Sequence, residues 1–306
     1  MWGVCPGESK SMAESRKNRI AGFFGELLKM VRLVALFFGL YFGIYLAGAV
    51  FGLLENLRTP VIFAAAFTAG LVCFFLLPRE LKILRIPAAG PDHAPAGASK
   101  NAVALSGGTS KKRVALSAGT MAGIVFLSIF LTVWLNRLMF VIPWTEVLSK
   151  EQVASAEGNF EIPFLLSVIG YGLLAPFAEE VCFRGILYGY FSKWMKAPVA
   201  IAISALLFGL YHVNPVQGIY AALMGAVMAL LVWLTGSLGA SMLFHMTSNL
   251  LVVFYSSFTV LYDFILSPAG SVLTVLLGAG GVLVLILLYK GTNRTKPEGK
   301  NGEGGK

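Results

Sequence analysis

Charged side chains are scarce in this sequence. Asp, Glu, Lys and Arg make up 13% of its 306 residues, hydrophobic residues make up 57%, and the mean hydropathy is +0.77. A soluble domain carries about 25% charged residues. The shortage of charge, together with the length of the apolar runs, argues against a soluble domain and predicts an all-α, polytopic membrane protein.

Cysteine is also rare, and its spacing carries no metal or disulfide signature. Cys5, Cys73 and Cys182 lie in unrelated settings without a CxxC pair. Neither a disulfide framework nor a structural zinc site is therefore predicted. A signal peptide is not evident either, because the first long apolar run begins near Leu33, behind a basic arm, and is long enough to span a membrane.

Apolar runs suited to crossing a bilayer number about eight. They lie at residues 33–54, 61–77, 114–135, 162–193, 197–212, 216–234, 238–258 and 270–289. The fourth run would be about 47 Å long as a helix, which is too long for one straight crossing. Gly170, Gly172 and Pro176 therefore predict a bend or break within it.

Composition divides the chain into five parts. Residues 1–32 form a basic arm, 33–78 a two-span region, 79–113 a polar linker, 114–290 the main membrane domain and 291–306 a Gly- and Lys-rich tail. The linker and the tail have the composition of flexible or disordered segments.

The basic residues are concentrated on one predicted side of the membrane. Of the 24 Lys and Arg, 20 fall in the arm, the linker, the turn with Lys193 and Lys196, or the C-terminal segment that begins at Lys290. Arg58, Arg137 and Lys150 fall on the opposite side. The positive-inside rule then places both termini in the cytoplasm, in agreement with an even number of spans. The net charge of +9 thus reflects orientation, and no nucleic-acid partner is predicted.

Ionisable and amide side chains form three islands within the apolar runs. The first contains Glu179, Glu180 and Arg184, the second is Phe208–His212 and the third is His245–Asn249. Ionised groups at membrane depth are costly and are usually functional. On a helix, Glu180 and Arg184 share a face, whereas Glu179 points about 100° away. We expect Arg184 to neutralise Glu180, and Glu179 to face a different partner.

The three islands also lie at similar predicted depths. At about 1.5 Å per residue, Glu179, His212, His245 and Asn249 come out about 12 to 24 Å from the cytoplasmic boundary. We infer one buried polar site between the fourth, fifth and seventh spans. A carboxylate there can act as general base on water, one histidine can hold that water, and a histidine with an amide can donate to an oxyanion. This set suits attack of water on an amide carbonyl.

Other chemistries remain open at this stage. Cys182 lies beside two acids that disfavour its thiolate, so we interpret it as a packing residue and not a nucleophile. Glu and two His could bind zinc and leave a position for water, although no HExxH motif is present. Glu and His could also form the relay of a proton-coupled transporter, although no inverted repeat is visible. A single membrane histidine more often forms a helix–helix hydrogen bond.

The three islands resemble the motifs of the CPBP family of intramembrane proteases, which includes the CAAX prenyl endoproteases and Abi-type bacterial proteins. The motifs EExxxR, FxxxH and HxxxN are intact and in family order within residues 163–262. The resemblance implies that Glu179 activates water and that His212 helps to hold it. It implies further that His245 and Asn249 stabilise the tetrahedral oxyanion. The supporting residues would be Glu180, Arg184 and Phe208.

The implied activity is hydrolysis of a peptide bond in a peptide or protein substrate within the membrane. No cofactor is expected, with zinc as the alternative, since the family has been described both as metalloproteases and as glutamic proteases. The short basic tails and the compact plan predict a bacterial plasma-membrane protein. The alternative functions are a non-catalytic, partner-binding or immunity protein of the same fold and the proton-coupled transporter.

Overall fold

The computed structural model describes residues 6–80, 117–141, 162–212 and 214–293. Within these ranges the chain forms nine helices and no strand, which confirms the predicted all-α fold. The helices are α1 (Pro6–Val50), α2 (Leu54–Glu80), α3 (Ala118–Val141), α4 (Phe164–Trp194), α5 (Ala197–Tyr211), α6 (Pro215–Thr235), α7 (Leu238–Ser257), α8 (Thr259–Leu266) and α9 (Pro268–Asn293).

Seven of the described helices are long and apolar enough to cross a membrane. An eighth apolar helix, α5, has only 15 residues and would measure about 22 Å. It ends early because the next helix starts at once: Pro215 lies in its first turn, and Asn214 Oδ1 accepts hydrogen bonds from the backbone N–H groups of Val216 and Gln217. The polytopic membrane fold is confirmed, with a fifth helix too short for a full crossing.

The predicted interruption of α4 takes the form of two π-helical segments. These segments, Gly170–Leu174 and Val181–Tyr188, flank the α-helical segment Ala175–Glu180. Pro176 has no N–H to donate to the carbonyl four residues earlier, so a regular hydrogen-bond ladder cannot continue through it. The glutamates thus lie at the end of a short α-helical segment between two wider turns, a feature often found at functional sites.

The predicted boundary between a basic arm and a first span is not visible in the structure. One continuous helix, α1, runs through both, from Pro6 to Val50. The flexibility predicted for the linker at 79–113 and the tail at 291–306 falls mostly on residues outside the described ranges, whereas residues 79–80 and 291–293 are helical, as parts of α2 and α9.

Glycine allows the helices around the centre to approach closely. A Cβ atom at Gly281 of α9 would lie 2.7 Å from the backbone nitrogen of Leu127 on α3, and one at Gly209 of α5 would lie 2.6 Å from the carbonyl oxygen of Gly218 on α6. Such contacts bring helix backbones together inside a membrane, where small residues permit tight packing.

Candidate functional site

A buried ion pair on α4 forms the base of the site. Arg184 Nη1 donates to Glu180 Oε1 at 2.7 Å, and both side chains are 0% exposed. Arg184 Nη2 donates to the Gly225 carbonyl on α6 at 3.1 Å, and the guanidinium carbon lies 4.3 Å from the centre of the Phe208 ring. The structure therefore contains the pair expected from the spacing, enclosed by α5 and α6.

His245 on α7 connects the two glutamates. Its Nδ1 lies 2.9 Å from Glu180 Oε1, and its Nε2 lies 3.7 Å from Glu179 Oε2. An ionised carboxylate only accepts hydrogen bonds, so Nδ1 carries the proton of that contact when Glu180 is ionised. The Nε2 atom is then directed at Glu179. This connection ties α7 to the glutamate segment of α4.

Glu179 is the more accessible of the two acids. Its side chain is 18% exposed, compared with 0% for Glu180. Among the described residues, Glu179 has an ion-pair contact with His245, whereas Arg184 is bonded to Glu180. Of the two acids, Glu179 is therefore the one more open to a ligand or to water.

His212 follows the last residue of the short helix α5. Its Nδ1 lies 2.8 Å from the Phe208 carbonyl oxygen, and because a carbonyl only accepts, Nδ1 carries the hydrogen. In a neutral ring Nε2 is then free to accept. The Phe208 ring contacts both imidazoles, with centroid distances of 4.8 Å to His212 and 5.6 Å to His245.

The short length of α5 explains how His212 reaches the site. Glu179 lies about four helical turns before the end of α4, and His212 lies about four turns after the start of α5. Since α4 and α5 are joined by a turn at residues 195–196, the two residues come out at similar distances from that turn. A full-length fifth span would have carried its last residue beyond the level of Glu179.

Asn249 lies one turn after His245 on α7. Its Nδ2 donates to the Tyr171 carbonyl at 2.9 Å, within the first π-helical segment of α4. An amide nitrogen has two hydrogens, so one remains after this bond. The structure thus brings Glu179, Glu180, Arg184, Phe208, His212 and His245 together, and joins Asn249 to the same helix α4 through its backbone.

The remaining candidates for chemistry at the site are Cys182 and a metal ion. Cys182 is 0% exposed within the apolar core, which agrees with its interpretation as a packing residue. Among the residues that the structure describes, no group of three or more His, Cys, Asp or Glu is placed to hold a metal ion. Glu180 is already bonded to Arg184 and His245.

Sequence reasoning missed one participant, Gly225 on α6. A Cβ atom there would lie 3.0 Å from Arg184 Nη2 and 3.1 Å from Phe208 Cδ1. Glycine at position 225 therefore leaves room for Arg184. The arginine can then donate to the Gly225 carbonyl and lie over the Phe208 ring at the same time. A glycine in an apolar run has no distinguishing signal in a single sequence, because glycine is common in membrane helices.

Comparison with known proteins identifies this region. Residues 161–251 match the model of a family described as type II CAAX prenyl endopeptidase Rce1-like. All seven predicted site residues, listed above as the three motifs, fall within that match. No curated protein and no solved structure matches the chain significantly. Over residues 161–251 the chain is thus similar to CAAX-protease-like intramembrane endopeptidases.

Proposed function

We propose that Glu179 acts as the general base of this protease and activates a water molecule for attack on a peptide carbonyl. The observation that carries the proposal is the contrast between two adjacent acids. Glu180 is fully buried and bonded to Arg184, whereas Glu179 is partly exposed and lies 3.7 Å from His245. A general base needs a free carboxylate within reach of water, and Glu179 meets that need.

The reaction follows from these positions. Glu179 takes a proton from water while the water oxygen bonds to the carbonyl carbon of the substrate. His212, with its Nδ1 hydrogen on the Phe208 carbonyl, accepts the other water hydrogen at Nε2 and so orients the attacking oxygen. The tetrahedral intermediate then collapses, the carbon–nitrogen bond breaks, and the proton held by Glu179 passes to the leaving amine.

The negative charge on the carbonyl oxygen requires donors. The side-chain amide of Asn249 keeps one hydrogen after its bond to the Tyr171 carbonyl. This uncharged group on α7 can donate that hydrogen to the oxyanion. His245 can donate from Nε2 only when both of its nitrogens carry hydrogen, because Nδ1 is already directed at Glu180. We propose that these two residues stabilise the oxyanion, with Glu180, Arg184 and Phe208 holding His245 in place.

Substitution of Glu179 tests the role of the general base. General-base catalysis contributes about 10²- to 10⁴-fold, so Glu179→Gln should reduce cleavage by at least that factor. Cleavage of a peptide library by the purified protein in proteoliposomes is the measurement, with thermal unfolding as the check on folding. Glu26→Gln is the control, since Glu26 lies far along α1 and pairs with Lys29 and Lys193. Undiminished cleavage by Glu179→Gln would contradict the general-base role, whereas absence of cleavage by the folded parent protein would favour the non-catalytic, partner-binding alternative.

Metal dependence is tested separately from the role of Glu179. We propose a glutamic mechanism, in which cleavage continues after treatment with a zinc chelator and the purified protein contains no stoichiometric zinc. Elemental analysis and chelator titration of the same preparation are the measurements. Loss of cleavage on chelation, restored by added zinc, would replace this proposal with the metalloprotease alternative.

A further inference from the structure

The two N-terminal helices lie outside the family match, yet α2 packs directly behind the glutamates. A Cβ atom at Gly70 would lie 2.7 Å from the Cα atom of Ala178, the residue before Glu179. Side-chain carbon atoms do not approach a backbone carbon that closely. Only glycine at position 70 therefore allows α2 to reach the backbone beside the proposed general base.

Aromatic contacts extend this interface on both sides of Gly70. Phe63 fills the space above Gly170, where no Cβ atom would fit, and its ring centroid lies 4.7 Å from that of Tyr171. The Phe177 ring lies 5.6 Å from Phe67 and 5.8 Å from Phe74. The helix α2 thus contacts the first π-helical segment of α4 and the α-helical segment that carries Glu179.

The helix α1 contacts the end of α5, where Tyr211 lies. Phe38 of α1 has its ring centroid 6.4 Å from that of Tyr211. Leu33 of α1 accepts a hydrogen bond at its carbonyl from the thiol of Cys73 on α2, so the two helices act as one unit.

We propose that this α1–α2 hairpin is part of the catalytic assembly, with Gly70 as the positioning residue for Glu179. The proposal rests on the role of Glu179 as general base. Glu179 lies between two π-helical segments, a form of helix that is rare and frequent at functional sites. Arg184, itself bonded to Gly225 on α6, and His245 on α7 hold the neighbouring Glu180, while α2 packs against the backbone of Ala178.

The first test compares two glycines of the hairpin. Gly70→Ala forces α2 away from Ala178 and should lower kcat about 10- to 100-fold with little change in KM, since a shift of about 1 Å in a catalytic group can cost that much. Gly43→Ala is the control, because a Cβ atom there would meet nothing within 4 Å. Adding Ala178→Gly to Gly70→Ala removes the Cβ atom that lies 3.0 Å away and should restore part of kcat.

The second test removes an aromatic contact of α2 without forcing the helices apart. Phe67→Leu takes away the ring whose centroid lies 5.6 Å from that of Phe177, and it should lower kcat with little change in KM. Phe75→Leu, on the exposed side of α2, is the matched control. If Gly70→Ala does not fold, Phe67→Leu decides: a kcat equal to that of the parent protein overturns the proposal.

The outcomes separate this proposal from the one on which it rests. An inactive Glu179→Gln together with a Gly70→Ala variant of full kcat would overturn the positioning role alone. Full activity of Glu179→Gln would instead overturn the general-base role. Reduced kcat in Gly70→Ala, normal kcat in Gly43→Ala and partial recovery in the double variant would together establish the hairpin as a support of the active site.

Discussion

At the scale of residues, the site depends on which of two adjacent acids is neutralised. The spacing of four residues between Glu180 and Arg184 predicts their ion pair, and the helical angle predicts that Glu179 points elsewhere. A single sequence could not predict that His245 contacts both acids, since this contact depends on how α7 packs against α4. The periodicity of a helix determines which of its own residues share a face. Which residues of another helix they contact depends on tertiary packing.

The buried ion pair should matter greatly for stability. Arg184→Met leaves Glu180 buried without its cation, and removal of one partner of a buried pair lowers the free energy of unfolding by about 3–5 kcal/mol. Lys29→Met is the control: Lys29 and Glu26 are 41% and 25% exposed, and such a surface pair contributes about 0–1 kcal/mol. Denaturant unfolding in detergent micelles measures both. Equal small losses in the two variants would contradict the structural importance assigned to Arg184.

At the scale of elements, most helix bounds follow from the sequence. The fifth, sixth and seventh predicted spans end within one residue of α5, α6 and α7, because Pro215 and Gly236 mark their boundaries clearly. The first helix differs, because α1 extends through the arm to Pro6. A search for apolar runs ends at the first polar residues, whereas polar residues can continue a helix. The π-helical form of α4 was not predictable, because Gly170 and Pro176 permit several kinds of interruption.

The contact between α3 and α9 offers a stability test with two neighbouring glycines. A Cβ atom at Gly281 would lie 2.7 Å from the backbone of Leu127, whereas one at Gly280 would lie 3.7 Å from the Phe126 ring, an ordinary contact. Gly281→Ala should therefore lower the free energy of unfolding by about 1–3 kcal/mol through overpacking. Gly280→Ala should change it little or increase it. Thermal unfolding of both variants decides, and equal stability would contradict the packing of α3 on α9.

At the scale of the whole molecule, the short helix α5 bears on the orientation in the membrane. Seven described helices satisfy the length for a crossing, and an odd number of crossings would place the termini on opposite sides. However, α5 and α6 form a hairpin with a turn of three residues, so α6 begins at whatever depth α5 ends. Because α6 then returns to the side where α5 began, the hairpin leaves the termini on the same side even if α5 stops within the bilayer.

We therefore expect both termini in the cytoplasm and residues 142–161 on the outer face, as the distribution of Lys and Arg predicts. The described cysteines Cys73 and Cys182 are 0% exposed and should not react with an impermeant maleimide. In a Cys5→Ser background, Lys150→Cys should be labelled in intact bacterial cells that express the protein, whereas Lys306→Cys should be labelled only after permeabilisation. The reverse labelling pattern would show that the protein has the opposite orientation. Labelling of both introduced cysteines in intact cells would show that α5 and α6 do not form a returning hairpin.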